Sequence, residues 1–198
     1  MKNPANNTNP ILEEIRQRRS PRAFSEKPVE LEKVQSLLEA ARWAASAFNE
    51  QPWRFIIGIK GDKTWDIILG TLVEWNQKWA QKAPVLVINI GKKTSSFNGK
   101  PNATYAYDTG QAVAMMVTEA VNQGLIGHQM SGFDAEKASE LFEISDDFQP
   151  ISVTAFGYLG NPELLPEDMK ESEFEERIRR SLDETVFSGK FGETSALF

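Results

Sequence analysis

The sequence predicts a single domain in which helices and strands intermix without the regular alternation of a doubly wound α/β sheet. Three observations support this prediction. A chain of 198 residues suits one domain with a sizeable core. Apolar residues recur at helical spacing in several segments. Three short apolar runs are typical of buried strands, but they are too few and too unevenly spaced for a doubly wound sheet.

Five segments are predicted to be helical, and three of them carry terminal signals. Asn9 followed by Pro10 is expected to cap the first helix, and Asp134 to cap the last. Gly124 follows the fourth predicted helix, at a position where glycine commonly ends a helix. The third segment is predicted to form one helix or two. The predicted helices cover 11–19, 29–46, 62–82, 105–123 and 134–144.

Strands are predicted between these helices, and polar segments lie between and beyond them. A short extended piece, LIGHQM, precedes Asp134, and a long polar loop covers 92–104. Residues 1–8 are expected to be disordered. After residue 160 the chain becomes highly charged. Such a segment cannot form a core of its own, so we expect it to lie over another surface, such as that of a partner subunit. The predicted strands cover 54–59, 84–91 and 150–160.

Composition excludes several classes of function. The net charge of −6 and a pI of about 5.0 argue against nucleic acid or an anionic membrane as a general partner. The absence of cysteine excludes disulfides, thiolate nucleophiles and zinc–cysteine sites, and the single histidine excludes an HExxH metal site. The polar N-terminus resembles no signal peptide, and the apolar run VLVI at 85–88 is far too short to span a bilayer. We expect a cytoplasmic protein without a metal site.

No motif of side-chain catalysis or phosphate binding is present. The sequence contains no GxGxxG after a strand, no GxxxxGK[ST] and no GxSxG. Most carboxylates fall on polar helix faces or in the charged C-terminal segment, where a solvated face is the simpler interpretation. If the protein is an enzyme, this pattern favours a cofactor that carries the chemistry itself.

The stretch RRSPRAF at 18–24 gathers three arginines around Ser20 in an acidic protein. A guanidinium group binds phosphate well because its planar fork donates two parallel hydrogen bonds. The alternative is that Arg16, Arg18 and Arg19 offset the negative C-terminal end of the first helix. Composition alone favours this alternative, but Arg22 weakens it because Arg22 lies beyond the predicted helix.

Two further segments could contact a ligand. In SAFNEQPWRF, 46–55, the side chains of Asn49 and Gln51 could hydrogen-bond the edge of a heterocycle, although a capped loop is the simpler interpretation. In GLIGHQMSGFD, 124–134, three glycines permit close backbone approach, although ordinary turns explain them equally well. We expect His128 to be a packing residue, and Asp108 with Gln111 to have a capping role.

Taken in order, these segments resemble the FMN-dependent nitroreductase family. The resemblance rests on RRSPRAF, EAARWAASAFNEQPWRF, APVLVINI, DTGQAVAMMV, GLIGHQMSGFD and VTAFGYLG, and it covers about 11–190. It implies an α+β fold with a mixed, mainly antiparallel sheet flanked by helices. It also implies a single FMN-binding domain over 1–198 and an intertwined homodimer with two FMN molecules at its interface. The C-terminal arm, 170–198, would be exchanged onto the partner.

The resemblance also implies site residues. The Gly132 N–H would face flavin N5, which makes Gly132 the catalytic position. Two departures concern substrate and cofactor preference: Ser131 replaces an acidic residue, and Ala45-Ser46 replaces a Pro-Ser pair. Arg180 could take the place of Arg179. Contacts to the flavin phosphate and ribityl chain fall to Arg18, Arg19, Ser20, Arg22, Arg177 and Arg179. Contacts to the ring system fall to Ser46, Ala47, Asn49 and Gln51 from the other subunit, and to Gln129, Met130, Ser131 and Gly132.

The activity that the resemblance implies is an NAD(P)H-dependent, two-electron reduction. NAD(P)H would reduce the bound FMN, and a small-molecule acceptor such as a nitroaromatic or a quinone would then take its place, in a ping-pong sequence. Two alternatives stay open: an FMN-binding protein without turnover, serving as a flavin store or sensor, and oxygen-dependent flavin chemistry on the same fold.

Overall fold

Four strands form one antiparallel sheet in the order β1-β2-β4-β3. The computed structural model of the chain describes residues 4–197. The second strand, VLVINIGK, is central and is buried along all but its last residue, which explains its unbroken apolar run. The three predicted strands and the short extended piece are all confirmed. The strands are β1 Trp53–Ile59, β2 Val85–Lys92, β3 Ile126–Met130 and β4 Phe148–Gly157.

Both faces of the sheet are covered, so the core has two halves. On β2, Leu86 and Ile88 belong to the half that contains the helical residues Trp65 and Trp79. The alternate residues of the same strand, such as Val87, belong to the half formed with the second and fifth helices. Side chains alternate between the faces of a strand, so burial of both faces favours apolar residues at successive positions; Asn89 is the buried polar exception, and its amide donates to the Ser152 and Thr154 hydroxyls.

The helices follow the predicted pattern, with one addition. The segment 62–82 forms two helices, separated at Leu72 and Val73. The addition is α7, in the charged C-terminal segment. The helices are α1 Glu13–Gln17, α2 Leu31–Arg42, α3 Lys63–Thr71, α4 Glu74–Ala80, α5 Tyr105–Asn122, α6 Ala135–Leu141 and α7 Glu167–Phe174, and short 3₁₀ helices cover Ala47–Asn49, Pro162–Leu164 and Leu182–Glu184.

Two of the three predicted helix termini are confirmed. The Asp134 carboxylate accepts the Lys137 N–H at 2.9 Å, and Gly124 has a φ of +74° just after α5. The prediction for the first helix is wrong, because α1 begins at Glu13 and Asn9 does not cap it. The Glu13 carboxylate, at the favourable N-terminal end, pairs with Arg16 one turn later at 2.6 Å.

Two apolar side chains of the C-terminal segment pack into the core formed by the rest of the chain. Met169 of α7 is fully buried and Leu165 nearly so, and both join the half of the core that contains Trp79. Beyond α7 large apolar side chains are exposed, with Phe191 and Leu197 the most open. This agrees with the expectation that the segment has no core of its own.

The outer face of α5 is also apolar and exposed. Tyr107 is 70% exposed and Met115 44%, while Ala112, Val113 and Met116 on the inner face are buried. Exposed apolar stripes of this kind are typical of surfaces that another protein covers. Within residues 4–197 no helix is long and apolar enough to cross a membrane.

Candidate functional site

Arginines from the two ends of the chain line one cavity of about 220 Å³. We call it the arginine cavity. The loop after α1 supplies Arg18, Arg19 and Ser20, and the segment after α7 supplies Arg177 and Arg179. The sequence separation exceeds 150 residues, so only the fold brings these groups together. Five of the six residues predicted to contact a phosphate therefore surround one space.

The two ends are fastened to each other through main-chain carbonyls. Arg177 donates to the carbonyl oxygens of Arg16, at 2.8 Å, and Arg18, at 2.6 Å. The Arg18 guanidinium donates to the Ser20 hydroxyl at 3.2 Å. These bonds fix the loop and the C-terminal segment relative to each other, so the cavity is preformed within one chain.

The cavity is electropositive because partly buried arginines lie close to one another. Burial and the neighbouring Arg179 cation lower the pKa of Arg18. Burial lowers the pKa of Arg177 as well, with further contributions from Arg18, Arg179 and Arg19. Cations that depress one another's pKa in this way are stabilised by a bound anion, and a phosphate group meets that requirement.

The sixth predicted residue, Arg22, is placed differently. Its guanidinium donates to the Ser172 hydroxyl at 3.0 Å, and Arg22 does not line the arginine cavity. Its backbone N–H donates to the Glu173 carboxylate at 2.7 Å. Arg22 therefore holds α7 against the loop, and its contact with a phosphate stays a prediction.

Glu173 is a site residue that sequence analysis missed. Its side chain is 2% exposed, and one carboxylate oxygen lies 4.0 Å from the Arg19 guanidinium. Arg19 also donates to the Glu173 carbonyl oxygen at 3.0 Å. In the sequence Glu173 is one of many acidic residues in a charged segment, and no local signal distinguishes it. Its role comes entirely from the packing of α7.

The side chain of His128 contacts the same loop, at Pro21. Its Nδ1 lies 3.0 Å from the Pro21 carbonyl oxygen, so Nδ1 carries the proton, and its ring lies 4.4 Å from that of Trp79. Burial, opposed by the hydrogen bond to Pro21 and reinforced by the cations Arg22 and Arg18, lowers the pKa of His128 to about 4. The neutral imidazole is a packing and positioning residue, as its isolation in the sequence suggested.

The loop 46–51 has a strained backbone. Phe48, Asn49 and Gln51 all have positive φ, between +48° and +56°, and the Phe48 side chain is completely exposed. A left-handed conformation is unfavourable for a bulky residue, and such strain is concentrated at functional sites. Within residues 4–197 the Asn49 side chain has no hydrogen-bond partner, which leaves its amide available to a ligand.

Three contacts hold this loop in place. The buried Asp108 carboxylate, in the first turns of α5, accepts the Ala47 N–H at 3.2 Å and the Thr104 hydroxyl at 3.0 Å. The Ser46 hydroxyl accepts the Gln51 N–H at 3.0 Å. Asp108 is thus structural, but the predicted capping role with Gln111 is wrong, because Asp108 lies inside α5, whose N-terminus has no side-chain cap, and its carboxylate fixes the loop instead.

Glu50 connects the loop to the polar segment 92–104. Its carboxylate accepts hydrogen bonds from the Ser95 hydroxyl and from the Ser96 N–H, the latter at 2.8 Å. These hydrogen bonds lower the pKa of Glu50, and the bond from Ser95 makes the largest contribution. Sequence analysis gave Glu50 no role, because its partners lie 45 residues away.

Among residues 4–197, the carbonyl oxygen of Gly132 accepts two hydrogen bonds, whereas its N–H donates none. The carbonyl accepts from the Val73 N–H at 3.1 Å and from the Asn76 amide at 2.9 Å. Within residues 4–197 the Gly132 N–H has no hydrogen-bond partner. A Cβ at this position would lie 2.7 Å from the Asn76 amide nitrogen, so a side chain here would displace the amide that holds the Gly132 carbonyl.

We call residues 46–51 and 129–132 the ring-side segments. No hydrogen bond among residues 4–197 joins one of them to the other, and neither segment lines the arginine cavity. The chain by itself thus assembles the predicted phosphate contacts, whereas it leaves the predicted ring contacts in two separate pieces.

The helix-dipole alternative for the arginines applies to one of them. Arg16 is the basic residue in the last turn of α1, and it is paired with Glu13. Arg18 and Arg19 come after the helix and line the cavity instead. Arg180 does not line this cavity, so Arg179 is the better placed of the two for a phosphate.

Known proteins share both the sequence pattern and the fold. The profile described as "Nitroreductase family" matches residues 15–64. A 15.4 kDa uncharacterised protein of Mycolicibacterium smegmatis is 32% identical over 150 residues, which cover 70% of this chain and 97% of that protein. A protein of Xanthomonas oryzae pv. oryzae with the provisional name NADH dehydrogenase/NAD(P)H nitroreductase is 26% identical, over 83% of this chain and 92% of its own.

A solved structure resembles the whole chain. A crystal structure described as an oxidoreductase containing FMN superposes with a TM-score of 0.91 at 34% identity, over 98% of this chain and 99% of the other. The fold is therefore the nitroreductase-like α+β fold, with a small antiparallel sheet between helices. The shared sequence, the shared fold and the order of the motifs lead to one conclusion: the chain belongs to the nitroreductase family.

Proposed function

We propose that the protein is an FMN-dependent NAD(P)H oxidoreductase that reduces small acceptors such as nitroaromatics and quinones. The arginine cavity is the observation that carries this proposal. It supplies crowded, partly buried guanidinium groups in a protein whose net charge is −6. A phosphate ester, which carries a charge of about −1.5 to −2 at neutral pH, fits that donor set.

The ring-side segments supply what a flavin ring would require. The open Gly132 N–H is available to donate to the flavin nitrogen N5, and the Asn49 amide is available to the ring's polar edge. The exposed apolar stripe on α5 and the apolar side chains beyond α7 support a homodimer in which the two ring-side segments come from different subunits. Of the predicted arm, Glu173 and Arg177 bond to the chain's own loop after α1, so exchange onto the partner would concern the residues beyond Arg179 and would cover their exposed apolar side chains.

When bound, FMN supplies the redox chemistry, taking two electrons from NAD(P)H and passing them to an acceptor. The chain's own residues bind, orient and polarise. Arg18, Arg177 and Arg179 hold the phosphate, the Gly132 N–H stabilises negative charge at the ring edge, and the fixed loop 46–51 positions the ring face. Glu50 is the carboxylic acid of the ring-side segments, and its carboxylate already accepts hydrogen bonds from Ser95 and Ser96, so we expect protons to come from water.

The experiment is the visible spectrum of the purified protein. We expect a yellow protein whose flavin absorbance bleaches when NADH or NADPH is added without oxygen, and returns when a nitroaromatic or a quinone is added. Bleaching without reoxidation by any acceptor except air would favour the oxygen-dependent alternative. A yellow protein that neither nicotinamide bleaches would favour a flavin store. A colourless protein that takes up no added FMN would contradict the proposal.

A further inference from the structure

A second cavity of about 570 Å³ adjoins the arginine cavity and shares Arg18, Arg177 and Arg179 with it. We call it the adjoining cavity. Its other walls are Arg180, Ser181 and Leu182 from the C-terminal segment, residues 5–9 from the N-terminal segment, and Ile11 and Ile15 from the approach to α1 and from α1 itself. No acidic residue lines it. In an acidic protein, four arginines around a space without a carboxylate require an explanation.

The two cavities together hold more positive charge than one phosphate group needs. The residues that line them include five arginines and two glutamates. One of those glutamates, Glu173, is already engaged by the Arg22 N–H at 2.7 Å and faces Arg19. Within residues 4–197 Arg180 has no hydrogen-bond or ion-pair partner. A phosphate in the arginine cavity would leave Arg180 without an anion.

The remaining lining suits a nucleoside better than a simple anion. Ile11, Ile15 and Leu182 are each between 43% and 48% exposed and offer apolar surface on which a base could rest. Asn6 and Asn9 add amide groups, which both donate and accept and so match the edge of a purine. A volume of about 570 Å³ lies within the range of small-molecule and cofactor sites.

We propose that the adjoining cavity is a subsite for an adenosine nucleotide, with Arg180 binding a second phosphate next to the one in the arginine cavity. This inference rests on the proposed flavin site. Two kinds of ligand could bring an adenosine nucleotide to this subsite. In FAD the adenosine is joined to the flavin phosphate itself, and in a nicotinamide dinucleotide it arrives as a separate molecule while FMN stays bound.

The test measures binding, in two arms. In the first, apoprotein is titrated with FMN and with FAD, and flavin fluorescence is followed. In the second, FMN-loaded protein is titrated with adenosine 2′,5′-bisphosphate by calorimetry. Both arms are repeated with Arg180→Ala, with the charge reversal Arg180→Glu, and with Arg42→Ala, a matched control that removes an exposed arginine from α2.

We expect Arg180→Ala to weaken one of the two adenosine ligands about tenfold, since a charge-assisted contact contributes roughly 1.5 kcal/mol, and to change FMN affinity less than about twofold. Arg180→Glu should weaken that ligand further, and Arg42→Ala should change neither. If FAD is the affected ligand, the subsite belongs to the flavin. If the bisphosphate is affected instead, the subsite belongs to a separate nucleotide.

Two results would overturn the inference while leaving the proposed function intact. One is that FMN binds but FAD binds at least about 100-fold more weakly and the bisphosphate does not bind at about 1 mM. The other is that an adenosine ligand binds with the same affinity in the Arg180 variants as in the Arg42→Ala control. A protein that binds neither FMN nor FAD would instead contradict the proposed function.

Discussion

The arginine cavity and the ring-side segments differ in how much of each a single chain supplies. The cavity is closed by bonds within one chain, with Arg177 fastened to two carbonyl oxygens of the loop after α1. The ring-side segments are separate from each other, with Phe48 strained and fully exposed but Met130 buried in the core. This difference indicates that one chain prepares a phosphate site in advance, whereas a ring site requires a second copy of the chain.

The largest expected effect comes from removing a cavity arginine. Arg18→Ala should raise the Kd for FMN about 100-fold, because charged hydrogen bonds contribute roughly 1.5–3 kcal/mol. Equilibrium titration of the apoprotein measures this, with Arg42→Ala as the control. An unchanged Kd would show that the cavity is not the phosphate site.

The pH dependence of stability tests the support beneath that cavity. The native state holds a neutral His128 with a pKa of about 4, whereas the unfolded state takes up the proton near the ordinary value of about 6.5. The unfolded state therefore binds more protons in this window. Stability from this group is present above pH 6.5 and declines as the pH falls towards 4, by roughly 2–3 kcal/mol.

The measurement is denaturant unfolding between pH 7 and pH 4, with His128→Phe as the comparison. The variant keeps an aromatic ring beside Trp79 but cannot titrate, so its free energy of unfolding should decline less steeply over this window. Parallel curves for the two proteins would mean that His128 is not held in its neutral form.

A substitution at Gly132 tests the ring-side segments separately from the phosphate. In Gly132→Ala the new Cβ would meet the Asn76 amide and Val73, so the segment and its open N–H should shift. We expect kcat to fall about tenfold, as for a displaced donor, while the Kd for FMN changes less than about fivefold. Gly70→Ala is the control, since a Cβ there meets no atom within 4 Å. Equal losses of kcat in Gly132→Ala and Gly70→Ala would show that Gly132 has no specific role at the flavin ring.

The smallest effect concerns the strain at Phe48. Phe48→Gly should raise the free energy of unfolding of the isolated chain by about 0.5–1 kcal/mol, because glycine adopts positive φ without the left-handed penalty and no buried surface is lost. Thermal unfolding at low protein concentration measures this. A loss of stability would mean that Phe48 is covered by another surface, which would itself support the dimer.

The sequence predicted those parts of the molecule that depend on local pattern. The buried strand β2 and the capped helix α6 follow from apolar runs and from Asp134. Features that depend on distant packing escaped prediction. Glu173 could not be separated from its acidic neighbours, and the bond between Glu50 and Ser95 joins two loops 45 residues apart. The start of α1 was misplaced, because the helix begins at Glu13 without a side-chain cap although Asn9-Pro10 indicated an earlier start.

The site followed a similar division. The composition of RRSPRAF alone favoured a helix-dipole role, and the phosphate role of its arginines, like that of Arg177 and Arg179, came from the order of the motifs through the family resemblance. The placement of Arg22 against Ser172 instead of the cavity depends on α7, a helix whose polar sequence gave no amphipathic signal. The open N–H of Gly132 was implied by the family resemblance, and its structural cause is the hold of Val73 and Asn76 on the carbonyl.

The central claim is that the arginine cavity binds the phosphate of a flavin, and the most direct test compares FMN with riboflavin. Both carry the same ring and ribityl chain, and only FMN carries the phosphate. Titration of the apoprotein should give a Kd for riboflavin at least about 100-fold higher than for FMN, and the ratio should shrink as salt is added. Equal affinity for the two flavins would contradict the account.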